Sequence, residues 1–114
     1  MKFFMKTDPD PTAGPPSPAM FEEMGAFIDE AFKSGKLVST GSLDPRLTRI
    51  AHRGDAFSIT DGPYSEAKEA VVGWAIMDVA SREEAIEWSK RFWRIVGDGS
   101  GTIQRVYDPG EFPE

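Results

Sequence analysis

The residues best placed to do chemistry lie in one string, 60–69, Thr-Asp-Gly-Pro-Tyr-Ser-Glu-Ala-Lys-Glu. Asp61 and Glu66 offer a pair of carboxylates for acid–base work, and Lys68 a cation able to hold an anion. Backbone N–H groups after Pro63 can form a small donor nest. The same string also has a purely structural reading. Asp-Gly-Pro is turn chemistry, and an Asp side chain can cap the N–H groups that follow it. Next upstream is His52, the one histidine and the one side chain whose unperturbed pKa lies near neutrality. Arg49 and Arg53 flank it and could hold an acidic ligand. A single histidine and no cysteine leave no multi-histidine or thiolate metal set, and no metal or cofactor is expected. Gly97, Gly99 and Gly101 precede a strand and no Lys-Ser/Thr follows, so they are not a phosphate loop.

These residues must be positioned by a domain of ordinary soluble composition. The chain has 114 residues, 39% of them apolar and 28% charged, with a formal net charge of −6. One domain, 1–114, is expected at this length. The acidic balance argues against nucleic acid and anionic membranes as partners. The longest apolar run, residues 70–77, is far short of the about twenty needed to span a bilayer. Lysines bracket an N-terminal apolar stretch too short for a signal sequence. The expected location is the cytoplasm.

Hydrophobic periodicity supplies the elements. Residues 2–6 read as a short strand apolar on both faces. Five prolines between residues 9 and 18 then make a loop, and Ser17-Pro18 starts a helix as N-cap and first helical residue. That helix carries Met20, Met24, Phe27, Ile28, Ala31 and Phe32 on one stripe and stops at Gly35. A second strand opens at Leu37-Val38. Residues 48–52 and 57–60 form a hairpin about Gly54-Asp55, in the order a type II′ turn favours. Its register puts Ile50, His52, Phe57 and Ile59 on one face, and Arg49, Ala51, Ser58 and Thr60 on the other. His52 is expected half-buried beside Phe57.

Residues 71–79 form a strand apolar on both faces, with Val71, Ala75, Met77 and Val79 opposite Val72, Trp74 and Ile76. Ser81 and Glu84 open a helix as a capping box, and Ala85, Trp88, Phe92 and Val96 follow at helical spacing. Residues 102–107 make the last strand. The order is βαβ–hairpin–βαβ, an α+β, ferredoxin-like βαββαβ sandwich. Two helices can cover only one face of its sheet. The other face, apolar on the central strands, is expected to meet a second copy in a sheet-on-sheet homodimer.

Residues 60–88 resemble the YCII-related (YciI-like) family in its DGPF-type branch. Asp61, Gly62, Pro63, Tyr64, Glu66, Lys68 and Glu69 stand at the motif positions, with tyrosine in place of the motif's phenylalanine. The chain start, the Pro-Pro-Ser-Pro lead into the first helix, residues 35–41 and residues 102–112 resemble that branch as well. The resemblance implies a dimeric α+β barrel. In the YciI-like branch it also implies an enzymatic role through a cleft and a His–Asp pair. His52 does not match that histidine, so the pair is not carried over.

Three functional readings follow. In the first, a small-molecule enzyme has its cleft next to residues 61–69. Asp61 is the acid or base there, and Arg49, Gly62, Pro63, Tyr64, Glu66 and Lys68 hold a small acidic ligand. In the second, the same cleft serves a non-catalytic ligand-binding or regulatory dimer. In the third, the chain is a structural dimerisation unit with no ligand.

Overall fold

The computed structural model describes residues 1–10, 14–44, 46–62 and 72–111. Its elements are β1 (Lys2–Thr7), α1 (Pro18–Lys33), β2 (Leu37–Leu43), β3 (Thr48–Arg53), β4 (Ala56–Asp61), β5 (Val72–Asp78), α2 (Arg82–Val96) and β6 (Gly101–Val106). The main sheet runs β2-β5-β1-β6, and β3 and β4 form a separate two-stranded sheet. Every pairing is antiparallel. This is the ferredoxin-like order, and the two strands read as apolar on both faces, β1 and β5, are the central ones.

Local chemistry accounts for the helix ends. The Ser17 hydroxyl accepts the Met20 N–H at 3.1 Å, and Pro18 stands first in α1, where its missing N–H has no cost. Gly35, at φ 79°, supplies the left-handed residue that ends the helix. At α2 the Ser81 hydroxyl accepts the Glu84 N–H at 3.1 Å. The Glu84 carboxylate reaches one residue further back than a standard capping box and accepts the Ala80 N–H at 2.9 Å. It also pairs with Lys36 at the head of β2, tying α2 to the sheet edge. That hydrogen bond, helped by the Ala80 N–H, holds the Glu84 carboxyl below its ordinary value.

Strand alternation divides the sheet into two unlike faces. Phe3, Met77 and Leu37 face the helices and cluster with Ala31 of α1 and Ala85 of α2; Met5, Ala75, Ile28, Trp88 and Ile103 pack around them. The opposite face carries Phe4 against Ile76 in register. The Phe4 and Trp74 rings stack there with centroids 6.3 Å apart. Both helices lie on the first face, so among the described elements none covers the second. No helix among the described residues is long and apolar enough to cross a membrane.

The hairpin has the expected register, with Ile50 opposite Ile59, His52 opposite Phe57 and Arg53 opposite Ala56. Gly54 has φ 57° while no non-glycine residue among the described ones has positive φ. A type I′ turn would need positive φ at Asp55 too, so the turn follows the II′ pattern. His52 stacks on Phe57 as the register requires, ring centroids 4.4 Å apart. The expected half-burial of His52 is not found: every residue of β3 and β4 is exposed, because the hairpin stands away from the helices and the main sheet.

Candidate functional site

Between the helix layer and the sheet the core is incompletely filled. A cavity of about 350 Å³ opens there, within the range of small-molecule pockets. Met5, Ala75, Met77 and Ile103 form its floor, Met24, Phe27 and Ile28 of α1 one wall, and Trp88, Phe92 and Trp93 of α2 the other. The reason is visible in the residues. β5 presents only Gly73 and Ala75 to the helices ahead of Met77, and β6 begins with Gly101. Small residues on the floor meet large rings on the helices, whose mutual packing keeps them from collapsing inward. Phe27 and Trp88 lie with ring centroids 5.7 Å apart, and Phe92 and Trp93 meet edge to face at 5.2 Å.

The helix seam above the cavity is clamped from outside. The Arg91 guanidinium lies 5.1 Å from the Phe27 ring centre and 4.8 Å from that of Trp88. It also donates to the Glu30 carboxylate of α1 at 2.6 Å. The hydrogen bond lowers the Glu30 pKa from its ordinary value and raises that of Arg91. One side chain thus joins both helices while covering the aromatic pair below it.

The rim lies where β1 ends and β5 and β6 begin, at Lys6, Thr7, Gly73, Gly101 and Thr102. The Thr7 hydroxyl accepts the Gly73 N–H at 2.9 Å and fixes that corner. The rim glycines answer to Trp93. A Cβ on Gly99 would come within 2.6 Å of the Trp93 ring, and one on Gly101 would strike the Lys6 carbonyl oxygen. These glycines make room for a wall of the cavity.

Trp88 and Trp93 line the site, and Trp74 is among its lining residues too while its ring stacks on Phe4. The described lining holds no histidine, aspartate or glutamate, and Lys6 at the rim is its one ionisable side chain. No group of three or more His, Cys, Asp or Glu suited to a metal occurs among the described residues.

The residues singled out from sequence lie elsewhere. Asp61 ends β4, exposed, and accepts a 2.7 Å hydrogen bond from the Thr48 hydroxyl opposite it. Gly62 follows at φ 101°, and its N–H donates to the Leu47 carbonyl at 2.9 Å, closing the base of the hairpin. Arg49 pairs with Thr60 and Asp61 with Thr48, which puts Arg49 and Asp61 on opposite faces of the ribbon. Neither lines the cavity. Pro63, Tyr64, Glu66 and Lys68 lie outside the described residues, as does the rest of 63–71. Sequence reading missed Met24, Phe27 and Phe92 as site residues. A usable signal was present: aromatic stripes on both helices face a strand whose inward positions are glycine and alanine.

Fold and cavity together define a ferredoxin-like α+β protein with an apolar pocket between its layers. Sequence comparison gives the family. The family model of the YCII-related domain matches residues 1–108, and the chain belongs to that family. An uncharacterized protein of Rhizobium meliloti (strain 1021) is 26% identical over 99 residues, spanning 82% of this chain and 80% of that protein.

Proposed function

We propose that this protein is a homodimeric binding module that takes a small, largely apolar, ring-containing molecule into the cavity between its helices and its sheet. One observation carries the reading: a cavity of about 350 Å³ walled by Phe27, Trp88, Phe92 and Trp93. Rings and thioethers there offer dispersion and stacking contacts that favour the transfer of an apolar ligand from water. Thr7, Ser89 and Thr102 give such a ligand a few polar contacts for orientation. An acid–base reaction in the cavity would need a titratable group, and the described walls bring none but Lys6 at the rim. Binding is therefore favoured over catalysis, and an apolar ligand over an acidic one. The dimer is supported by the sheet face that no described element covers, where Phe4, Trp74 and Ile76 would meet their counterparts in a second copy.

The test uses 1-anilinonaphthalene-8-sulfonate as the probe. Its fluorescence should rise on addition of the protein, with matching quenching of tryptophan emission, and saturate at one probe per chain. Ala75→Leu fills the floor and should abolish that signal while leaving the circular dichroism unchanged. Equal probe binding by folded Ala75→Leu would refute the assignment of the cavity.

A further inference from the structure

Among the described residues, nothing covers the β3–β4 hairpin in its own protomer. A two-stranded ribbon alone is at best marginally stable in water. This one nevertheless exposes three large apolar side chains on a single face: Ile50 is 68% exposed, Phe57 65% and Ile59 69%. The other face carries Arg49, Ala51, Ser58, Thr60 and Arg53, the pattern of a ribbon wet on one side only. The type II′ turn at one end and the Gly62–Leu47 hydrogen bond at the other hold the face in register.

Area indicates what covers it. The chain exposes 8521 Å². A folded monomer of this mass should expose roughly 6,200 Å², so the excess is on the order of 2,300 Å² per chain. Burying that excess on both partners falls within the range of obligate homodimers and well above transient contacts. The same chain carries a second apolar surface that no described element covers, the sheet face of Phe4, Trp74 and Ile76, each half-buried. The two surfaces do not meet within one protomer, and a two-fold axis lets each copy use both reciprocally.

We infer that the β3–β4 hairpin is an intersubunit arm, whose Ile50–Phe57–Ile59 face packs on a second copy of this chain and extends the dimer interface beyond the main sheet. The inference rests on the homodimer proposed above. Its occupant is a second copy, because a contact of this size and apolar character is permanent rather than exchanging.

Light scattering across a dilution series tests it with three proteins. The unaltered chain should have twice the chain mass. The double variant Ile50→Asp/Ile59→Asp should shift to monomer, its dissociation constant weakened at least about a hundredfold, since two buried apolar contacts become buried charges. Ser58→Asp, on the wet face, should remain dimeric. A monomeric unaltered chain overturns the dimer and the arm together. A dimeric unaltered chain whose double variant dimerises equally well overturns the arm alone.

A second measurement holds even if the double variant fails to fold. The chain has no cysteine, so Phe57→Cys carries a single environment-sensitive dye. Its emission should shift to the blue as protein concentration rises through the dissociation constant. Emission that stays water-like in the dimer also overturns the arm.

Discussion

Three glycines follow α2 within one turn of chain, and the structure gives each a different reason to be glycine. Replacing them in turn by alanine therefore tests the packing of Trp93 against the sheet. Gly97 has φ 89°, and a Cβ added there would meet nothing within 4 Å. Its cost is conformational alone, about 1–3 kcal/mol, because φ 89° with ψ −150° is backbone that essentially only glycine adopts. At Gly99 the new Cβ would lie 2.6 Å from Trp93 Cζ3 and 3.1 Å from Cη2. An ordinary contact needs about 1 Å more. The obstacle is a side chain beside a cavity, so the ring can move, and the expected cost is about 1–2 kcal/mol.

At Gly101 the obstacle is the Lys6 carbonyl, a backbone atom of β1, with the Trp93 ring at 3.1 Å on the other side. Relief requires parting β1 from β6, and the cost should reach about 3 kcal/mol or more. Thermal melts at one fixed protein concentration, needed because dimerisation makes Tm concentration-dependent, should fall by roughly 4 °C per kcal/mol. A larger cost at Gly101 than at either Gly97 or Gly99 is the expectation. Gly99→Ala should also weaken the anilinonaphthalene probe, because the displaced ring enters its site. A Gly101→Ala protein as stable as Gly97→Ala would refute the packing argument.

Other consequences are more local. Asp61→Asn should cost about 1 kcal/mol or less in urea unfolding, because an amide oxygen can still accept from Thr48, and should leave probe binding unchanged; loss of binding would bring Asp61 into the site. Glu84 has a folded pKa below its ordinary value of 4.5, so its contribution is complete above that value and is lost as pH falls through the lower folded one. Urea midpoints measured from neutral pH downward should therefore fall less steeply for Glu84→Gln than for the unaltered chain, and parallel curves would exclude the linkage. Glu30 shows the same direction of shift through Arg91, so Arg91→Gln should likewise shallow the acid limb while preserving the fold.

Much of the fold was legible because it rests on short-range rules. Ser17-Pro18, Gly35, Ser81 with Glu84 and Gly54-Asp55 are local signals, and each marks the expected helix end or turn. The two-sided apolar strands announced the centre of the sheet, since neighbours on both edges help shield each face of a central strand from water. Hairpin register followed from alternation alone, down to His52 against Phe57.

What alternation could not supply was depth. It assigns a face to a residue without saying whether anything lies over that face. For that reason His52, expected half-buried, stands exposed with the rest of its hairpin, and the helix face of the sheet encloses a cavity. Whether Trp88 and Trp93 pack solidly or line a space depends on the volumes of residues far away in the chain, Gly73, Ala75 and Gly101. That is a sum over tertiary neighbours which no local pattern encodes. The chemistry-bearing residues misled for the same reason. Asp61 and Arg49 are near in sequence, but the parity of an antiparallel ribbon sets them on opposite faces, while uncharged side chains from α1, α2 and the sheet, with Lys6 at the rim, assemble the pocket.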